Sequence, residues 1–535
     1  MPMPDTPRRP APTDAADVPG RITGFPGGSG GEPGGGPRPP NNLPFQLTSL
    51  VGREREISEV GRLLAERRLL TLTGPGGSGK TRLALAVAFE VVEGYEDGSW
   101  LVELAPLSGP ELVAQAVGSV LGVSEQPGRP LIETLAEALK DKKMLLVLDN
   151  CEHLIEACAS LAGTLLRTSQ NLKILATSRE ALGITGESSW PVPPLSLPDP
   201  RHLPAVEGLQ SYEAARLFLE RAVAVEPGFE ITEQNALAVA QVCYRLEGIP
   251  LAIELAAART KVLPVEQISG RLEESLQLLS GGGRTAMPHH RTLRATMDWS
   301  HGLLDREEQG LFRRLSVFAG GFTLEALEAV CGGDGLEGGG VLDLLTSLVD
   351  KSLVLVTEHG GETRYRQLET VRQYGREKLE ENGEAERIHR RHAEFYLTLA
   401  EEAGPELKGA QQLVGLERLE REHDNLRAAM SWLLGEVESE RVARLGWALW
   451  LFWWIRGFFS EGRRWMEGAL IKGGAMPASA RARALFVAGT MATGQADFRL
   501  AEPLLEESLG LFRGSGDKRG AAYALGSIGI AAIGQ

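Results

Sequence analysis

The stretch "GPGGSGKT", residues 74–81, decides the fold of this chain. It follows the apolar run "LLTLT" and precedes the helical stretch "RLALAVAFEVV", which is the context that a phosphate-binding loop requires. Such a loop turns its backbone N–H groups toward a β-phosphate at the positive end of the following helix. A glycine-rich turn without that role is the alternative, but strand, motif and helix all agree. The residues predicted to contact a nucleotide here are Gly74, Gly76, Gly77, Ser78, Gly79, Lys80, Thr81 and Arg82.

Two side chains of this loop carry the chemistry. Lys80 supplies a positive charge for the β- and γ-phosphate oxygens, and Thr81 supplies a hydroxyl for Mg²⁺. The sequence therefore predicts a site for ATP or ADP with Mg²⁺, in which Lys80 is a catalytic residue and Thr81 a metal ligand.

The run "LLVLDNCEHL", residues 145–154, offers the second part of that site. Asp149 ends a predicted strand, where it can hold magnesium as Walker-B acids do, and we predict it as a catalytic and metal-binding residue. The competing interpretation is structural, because Asp149 and Glu152 have the spacing of a helix capping box. Asn150 can orient a water but cannot take its proton, which leaves Glu152 as the candidate general base.

Two further motifs have both a structural and a functional interpretation. "LKILATSRE" ends in Arg179, which is either a cation that reaches the γ-phosphate or a surface arginine near a helix start. In "RLEGIPLAIELAAA", Gly248 can end one helix and Pro250 can begin the next, or Pro250 can lie against an adenine ring. The residues alone do not choose between these alternatives.

Along the chain, apolar runs alternate with helical stretches up to about residue 200, which predicts a parallel sheet covered on both faces. Helices dominate from there, except that "KSLVLVTEHGGETRYRQLE" predicts a β-hairpin turning at residues 359–361, the pattern of a winged helix. The predicted fold is multidomain α/β plus α. Its parts are a Pro/Gly-rich disordered tail (1–43), a P-loop domain (44–200), a helical domain (201–285), a winged-helix domain (286–383), a helical linker (384–440) and an α-solenoid of TPR-like repeats (441–535).

The solenoid prediction rests on an internal repeat. "ALFVAGTMATGQ" (484–495) aligns with "ALGSIGIAAIGQ" (524–535), and "FSEGRRWMEGAL" (459–470) aligns with "FRLAEPLLEESL" (498–509). Both offsets are about 40 residues, a helical-hairpin period. The array ends after the first helix of a repeat, so we expect a fragment of a longer protein.

The aromatic stripe in this region can serve two purposes. Its members are Trp447, Trp450, Leu451, Trp454 and Phe458. Packing against the next helix is the first interpretation, and a groove for a peptide or small effector is the alternative.

Composition narrows the partners. A net charge of −15 disfavours non-specific binding to nucleic acid or acidic membranes. The four cysteines are scattered, which indicates a reducing cytoplasm, and no apolar run approaches the ~20 residues needed to span a membrane. The charge and the short apolar runs together predict no membrane contact. Acidic residues are interspersed with the basic residues of the predicted winged helix, so we expect no DNA-binding domain in this chain.

These motifs in this order resemble the STAND class of P-loop ATPases, signalling switches that include plant NB-ARC proteins and bacterial MalT-like and AfsR-like regulators. The resemblance covers roughly residues 48–535. It is strongest to bacterial predicted ATPases of the LuxR-regulator type, through "LTSLVGRERE", "LLVLDNCEHL", "TLRATMDWS", "RRLSVFAGGFTLEA" and "LVDKSLV".

The resemblance implies roles for individual residues. "LVGREREI" resembles the family's entry motif, which implies that Val51 and Arg53 lie near the base and ribose. "TSR" resembles its sensor, which implies a catalytic phosphate contact for Arg179, and "GIPLA" resembles a motif that places Pro250 beside adenine.

One departure concerns the winged helix. Many relatives have a Met-His-Asp motif that contacts the bound diphosphate, and the corresponding stretch here is "YRQLETVRQYG". Leu368 and Glu369 stand at the His and Asp places, and leucine cannot donate a hydrogen bond to phosphate.

We therefore expect a switch that exchanges ADP for ATP, hydrolyses ATP slowly and self-associates, with a protein or small-molecule effector at the repeats. A phosphotransferase or motor would need an acceptor site or a fast base, and neither is evident. A scaffold with a vestigial nucleotide site is the remaining alternative, against which the intact "GKT" speaks.

Overall fold

The computed structural model describes residues 39–45, 49–279, 288–333, 340–359, 361–474 and 476–534. Its centre is a five-stranded sheet, which confirms the parallel sheet predicted from the alternating apolar runs. The strands are β1 Leu69–Thr73, β2 Ser99–Glu103, β3 Leu145–Asp149, β4 Lys173–Ser178 and β5 Glu187–Pro191. Their order across the sheet is β2-β3-β4-β1-β5.

Helices cover both faces of this sheet. They are α1 Glu54–Glu66, α2 Lys80–Val91, α3 Leu112–Leu121, α4 Leu131–Ala138 and α5 Ile155–Thr168. Strand β3 is buried along its whole length because alternate residues enter different cores. Leu145 and Val147 pack with α1 and α2, whereas Leu146 and Leu148 pack with α3, α4 and α5. A strand with two covered faces must be apolar throughout, which explains the continuous run in the sequence.

The start of the chain differs in extent from the predicted tail of residues 1–43. Residues 1–38 lie outside the described part of the chain. Residues 39–43 lie along the edge of β2, where the Asn42 amide donates to the Leu101 carbonyl at 2.9 Å and accepts from the Leu101 N–H at 2.7 Å.

A helical region and then a winged helix follow the sheet. The helical region comprises α6 Val206–Leu209, α7 Glu213–Val225, α8 Ala236–Arg245, α9 Pro250–Ala257 and α10 Val265–Leu279. The winged-helix region comprises α11 Pro288–Gly302, α12 Arg306–Arg314, α13 Leu324–Cys331, α14 Gly340–Asp350, β6 Leu355–His359, β7 Glu362–Arg366 and α15 Glu369–Glu381. The antiparallel β6–β7 pair confirms the predicted hairpin. Pro250 occupies the first turn of α9, where its missing N–H costs nothing.

The rest of the described chain is helical, as expected beyond residue 383. The helices are α16 Ala385–Glu406, α17 Gln412–Arg421, α18 His423–Gly435, α19 Ser439–Arg456, α20 Phe459–Lys472, α21 Ala478–Gly494, α22 Phe498–Gly514 and α23 Lys518–Gly534. None of the helices that the structure describes has an apolar stretch long enough to cross a membrane.

The sequence repeat is also a structural repeat. A Cβ atom on Gly494, at the end of α21, would overlap the ring of Phe459 at the start of α20. A Cβ atom on Gly534 would overlap the ring of Phe498 in the same way, one repeat later. In both helix pairs, α20–α21 and α22–α23, a phenylalanine ring on the first helix therefore packs on a glycine at the end of the second.

The aromatic stripe of α19 packs against later helices, as the first interpretation predicted. Trp447 and Trp450 each have their ring centroid 5.3 Å from that of Phe486 on α21. Trp454 packs on Phe459 of α20 at 5.5 Å.

A buried polar cluster joins the P-loop region to the helical repeats. The Glu461 carboxylate on α20 accepts hydrogen bonds from the Gln115 amide on α3 at 2.7 Å and from Arg427 on α18 at 2.8 Å. The His423 ring nitrogen lies 3.1 Å from the same carboxylate. Burial opposes the charged carboxylate, but Arg427 and His423 outweigh it and hold the pKa of Glu461 well below its usual range.

Around this cluster the contact continues along the surface. Glu125 accepts from the Ser460 N–H at 3.1 Å, and the Gly128 N–H donates to the Gln495 carbonyl at 3.0 Å. Arg464 forms an ion pair with Glu111. The repeats and the nucleotide-binding fold are therefore held together by polar contacts on both sides of Glu461.

Glu461→Gln should destabilise the full chain by about 3 kcal/mol, because it leaves the buried Arg427 without a full counter-charge. Thermal and urea unfolding midpoints would measure this loss. The matched control is Glu467→Gln on the same helix, which removes a partly exposed ion pair with Arg463 and should change stability by less than about 0.5 kcal/mol. Equal effects of the two substitutions would contradict the assigned importance of the buried cluster.

Candidate functional site

The loop of residues 74–81 lies at the carboxyl end of β1 and leads into α2. Gly77 and Gly79 have φ values of 76° and 89°, which favour glycine. Lys80 is buried, and its Nζ donates hydrogen bonds to the Gly74 and Pro75 carbonyls at 2.9 and 3.0 Å. Burial lowers the pKa of Lys80, and nearby Glu152 and Asp149 oppose that effect. The ammonium is thus inside the loop, beside the N–H groups that begin α2.

Asp149 lies at the end of β3, against this loop. Its Oδ1 accepts hydrogen bonds from the Thr81 hydroxyl at 2.7 Å and the Thr177 hydroxyl at 2.6 Å. The Thr177 oxygen in turn accepts from the Asn150 N–H at 2.9 Å. Burial raises the pKa of Asp149, although the two hydroxyl hydrogen bonds act to lower it.

The capping-box interpretation of Asp149 and Glu152 is wrong. Helix α5 begins only at Ile155, after a short 3₁₀ turn, and no side chain caps that turn. Asn150 takes a left-handed conformation with φ of 66°, which separates Asp149 from the turn. The Asp149 carboxylate is therefore directed to Thr81 and Thr177 instead of to the helix start.

Glu152 and Arg179 form an ion pair beside the loop. Arg179 Nε lies 3.2 Å from Glu152 Oε1, and Arg179 Nη2 donates to Gln373 Oε1 on α15 at 3.0 Å. The other carboxylate oxygen of Glu152 is buried and has no hydrogen-bond partner among the described residues. Arg179 thus connects the region around Lys80 to the winged helix.

The residues predicted near the base and ribose line one small cleft together with residues of the phosphate loop. The cleft is lined by the predicted residues Val51, Arg53, Ser78, Gly79, Arg82 and Pro250, and also by Leu50, Leu195, Leu217 and Glu254. Its apolar walls come from the entry segment, α7 and α9.

Arg53 is held in place at the rim of this cleft. It begins α1 in a left-handed conformation with φ of 73°. Its N–H donates to Glu213 Oε1 at 3.0 Å, and its Nη2 donates to the Pro193 carbonyl at 2.6 Å. Burial opposes the charge on Glu213, but hydrogen bonds from Ser196 and Arg53 outweigh it and lower the pKa of Glu213.

An ion network at the cleft wall was missed by sequence analysis. Glu254 on α9 pairs with Arg82 at 3.3 Å and with Arg221 at 3.0 Å. Both arginines also donate to the Ser49 carbonyl, at 2.6 and 3.3 Å. The only signal was one acid in the otherwise apolar stretch "PLAIELAAA".

Two other regions of the chain close over the phosphate loop. A Cβ atom on Gly77 would lie 2.9 Å from Leu251 Cβ on α9 and 3.3 Å from Leu293 Cδ2 on α11. A Cβ atom on Gly76 would lie 3.1 Å from the Thr370 hydroxyl on α15. The loop is therefore the meeting point of the sheet, the helical region and the winged helix.

Sequence analysis identified Leu368 and Glu369 but not Thr370, the residue that follows them. Leu368 precedes the first residue of α15 and makes no capping hydrogen bond. Glu369 pairs with Arg372 of its own helix at 2.8 Å. Of these three neighbours, Thr370 is the one whose side chain reaches the loop.

Comparison with known proteins identifies two domains. Residues 64–184 match the family model described as an AAA domain, and residues 304–380 match that described as a winged helix-turn-helix domain. The expectation that the chain contains no DNA-binding domain is therefore wrong, because helix-turn-helix domains are DNA-binding modules. Interspersed acids misled the sequence analysis, since charge pattern alone does not define this domain class.

Relatives extend the match beyond single domains. An uncharacterized protein of Mycobacterium tuberculosis is 44% identical over 344 residues, which are 64% of this chain and 84% of that protein. A protein of the same species named "Putative HTH-type transcriptional regulator" is 45% identical over 409 residues, 76% of this chain and 44% of that protein. The regulatory protein AfsR of Streptomyces coelicolor is 28% identical over 468 residues, 79% of this chain and 43% of AfsR.

The aligned part spans 44% of the length of the mycobacterial regulators that it matches. The chain covers 84% of the shorter mycobacterial protein at 44% identity. The chain belongs to the STAND-class family of P-loop ATPases and regulators that these mycobacterial and streptomycete proteins represent.

Proposed function

We propose that this chain is a nucleotide-dependent regulatory switch. The observation that carries the proposal is the contact of Leu251, Leu293 and Thr370 with the glycines of the phosphate loop. Because the helical region and the winged helix both pack on this loop, a change in its phosphate occupancy alters the free energy of their arrangement. Exchange of ADP for ATP is the change that we assign to the switch.

The residues around the loop fit a nucleotide with Mg²⁺. The Thr81 hydroxyl and the Asp149 carboxylate are hard oxygen donors 2.7 Å apart, which suits Mg²⁺. The Thr177 hydrogen bond holds the carboxylate toward the loop. Bound Mg²⁺ would neutralise charge on the phosphates. Lys80 and the backbone N–H groups of residues 76–81 would bind the β- and γ-phosphates.

Arg179 is the proposed contact to the γ-phosphate. It already links Glu152 to Gln373 of the winged helix, so a phosphate that attracts its guanidinium would loosen that link. Asn150, which follows Asp149, cannot take a proton from an attacking water. Slow hydrolysis is therefore part of the proposal, in which ATP is mainly held.

The cleft beside the loop is the proposed base and ribose site. Val51 and Pro250 supply apolar surface to its lining, and Glu213 holds Arg53 in place beside them. In this proposal, residues 44–200 and 201–285 enclose the nucleotide, residues 286–383 respond to it, and residues 384–440 connect them to the repeats.

The repeats of residues 441–535 are proposed to be TPR-like and to receive an effector. The Glu461 cluster, which ties them to α3, supports this role because an effector that moves α20 also moves a helix of the nucleotide-binding fold. Release of that contact would expose surface on both parts, and we propose that self-association follows.

A second candidate function, DNA binding, is favoured by the winged helix-turn-helix match at residues 304–380. Arg366 in the wing hairpin pairs at 3.1 Å with Glu103 of the nucleotide-binding fold, and Arg364 pairs with Glu422. Phosphate contacts would have to compete with these carboxylates. We propose that DNA binding, like self-association, requires the domains to separate.

Lys80→Ala should abolish ATP binding and leave the fold intact. At 100 times Kd, ATP stabilises a binding protein by about 2.7 kcal/mol, and the variant should lose this gain in a thermal-shift titration. Lys140→Ala, at an exposed lysine of the same domain, is the control and should keep it. Normal affinity in the Lys80 variant would refute the site.

Small-angle scattering on the same proteins tests the switch itself. The profiles of the wild type with ADP and with ATP should differ, and those of Lys80→Ala should not. Identical wild-type profiles at saturating ADP and ATP would refute the switch while leaving the nucleotide site standing.

Asp149→Asn should raise the melting temperature of the ligand-free protein at neutral pH and eliminate the added stabilisation by Mg²⁺ with ATP. Burial raises the pKa of Asp149 above its unfolded value, so its ionised form costs stability at pH values above both pKa values. That cost disappears below the unfolded pKa, so the difference between the proteins should shrink as pH falls toward 4.

An asparagine oxygen can still accept from both Thr81 and Thr177, so the hydrogen bonds survive the substitution. Asp141→Asn, at an exposed site one helix away, is the control and should change neither measurement. A lower melting temperature together with a retained Mg²⁺ response would contradict the assignment of Asp149.

Glu103→Gln should strengthen the binding of duplex DNA by about 2- to 5-fold, because it frees Arg366 from a half-exposed ion pair. Fluorescence anisotropy with a mixed-sequence duplex at low salt would measure it, and affinity should fall as salt rises. The control is Glu96→Gln, which frees only Lys143. Failure of every variant to bind duplex with ADP or ATP would exclude the DNA-binding function.

A further inference from the structure

We propose that the face shared by α19, α21 and α23 binds a small organic anion that carries an aromatic ring. This inference rests on the proposed role of the repeats as effector receiver and gives the chemistry of the effector. The site, here called the cation–aromatic patch, consists of Trp447, Trp450, Tyr523, Lys408, Arg483 and Arg519.

The aromatic half of the patch is a group of partly exposed rings. Trp447 and Trp450 on α19 have ring centroids 6.0 and 5.7 Å from that of Tyr523 on α23. All three are only partly buried, although each also packs on Phe486. The exposed parts of these rings can receive another planar group, and such contacts contribute about 0.5–1.5 kcal/mol beyond area burial.

The cationic half of the patch surrounds the same rings. Lys408 Nζ lies 4.8 Å from the Tyr523 ring centroid and 5.7 Å from that of Trp450. The Arg483 guanidinium lies 5.7 Å from the Trp447 ring, and that of Arg519 lies 5.7 Å from the Tyr523 ring. Three positively charged side chains therefore lie over a group of adjacent aromatic rings.

None of these three cations forms an ion pair with a carboxylate in the part of the chain that the structure describes. Their neighbours do. Arg481, two residues before Arg483, pairs with Glu507 at 2.7 Å, and Arg444 on α19 pairs with Glu401 at 2.9 Å. The nearest carboxylate to act on Arg519 is that of Asp517, which accepts from the Gly520 N–H and lies beyond ion-pair distance of the arginine. In a chain of net charge −15, three cations gathered without an ion-paired carboxylate indicate a place for an external anion.

The phenol of Tyr523 is affected by the positive charges of the patch. Its hydroxyl accepts a hydrogen bond from Lys408 Nζ at 3.1 Å and lies 3.4 Å from Arg519 Nε. Burial acts to raise the phenol pKa, but Arg519 and Lys408 outweigh it and the pKa of Tyr523 is lowered.

The size of the patch favours a small molecule over an extended chain. Each cation lies within about 6 Å of the ring centroid of Tyr523 or Trp447. The rings of both tryptophans pack on that of Tyr523. A single molecule can therefore place its ring against the tryptophans and its anionic group on the neighbouring cations, since guanidinium groups bind carboxylate or phosphate through two hydrogen bonds.

The patch also joins distant parts of the chain. Lys408 follows α16, whereas Tyr523 lies 115 residues later on α23. An anion bound between Lys408 and the arginines would draw α23 toward the segment that leads to the winged helix. A ligand at this place is thus positioned to change how the repeats pack on the rest of the protein.

The test uses 2-naphthoate as the probe and the full chain without nucleotide. Calorimetry and quenching of tryptophan fluorescence should show saturable binding of 2-naphthoate, and an uncharged analogue, 2-naphthalenemethanol, should bind at least 10-fold more weakly. Arg483→Gln with Arg519→Gln should weaken 2-naphthoate binding at least 10-fold, and Lys408→Gln alone should weaken it measurably. Arg481→Gln, whose side chain is already paired with Glu507, should leave the affinity within 2-fold.

Equal binding of 2-naphthoate by the wild type and the double arginine variant would overturn the proposal, as would equal binding of the uncharged analogue. Binding of a glutamate-rich peptide with no binding of 2-naphthoate or naphthyl phosphate at millimolar concentration would also overturn it, in favour of a protein partner. Naphthyl phosphate binding more tightly than 2-naphthoate would support the site and identify phosphate as the anion. A melting curve of each variant excludes unfolding, and Lys408→Gln, at an exposed position, preserves the test if the double variant fails to fold.

The result is separable from the nucleotide switch. Lys80→Ala should bind 2-naphthoate as the wild type does, because the patch and the phosphate loop share no residue. Retained probe binding with identical ADP and ATP scattering profiles would refute the proposed function and leave the patch standing. The reverse result would refute the patch alone.

Discussion

The absence of side chains at Gly76 and Gly77 is the constraint on which the arrangement of the domains depends. Leu251 of α9, Leu293 of α11 and Thr370 of α15 occupy the space that side chains at these positions would fill. The glycines therefore belong both to the loop with the phosphate-binding sequence pattern and to the surface on which the helical region and the winged helix pack. A substitution at either glycine would disturb that packing as well as the loop.

Much of this could be predicted from the sequence, because the signals were local. The apolar runs predicted the parallel sheet, and "GPGGSGKT" and Asp149 were expected at its carboxyl edge, where the Thr81 hydroxyl lies 2.7 Å from Asp149 Oδ1. What the sequence could not give were contacts between distant segments. The Gln115 to Glu461 hydrogen bond joins residues 346 positions apart, and neither residue is unusual among its neighbours. The capping box failed because a left-handed Asn150 interrupts the helix start, which spacing alone does not reveal.

Internal pairing explains why the winged helix was underestimated as a DNA-binding domain. The sequence analysis averaged its basic residues with the nearby acids, whereas the structure pairs several of them with particular carboxylates. Arg366 is neutralised by Glu103 of another domain, and Lys351 is neutralised by Glu308 within its own. The first kind of pair ends when domains part, and the second does not. The charge that a partner would meet is therefore a property of the domain arrangement rather than of the composition.

The Phe459 to Gly494 contact and its copy at Phe498 and Gly534 have a consequence for how the helical array can vary. In each helix pair, the phenylalanine ring contacts the glycine backbone, and this contact sets the distance between the two helices. A larger residue at the glycine position would therefore require a smaller residue at the phenylalanine position. Paired replacements of this kind would change the curvature of one hairpin and leave the next unaffected. The spacing of the helices in this array can therefore be changed one repeat at a time, through two positions in each repeat.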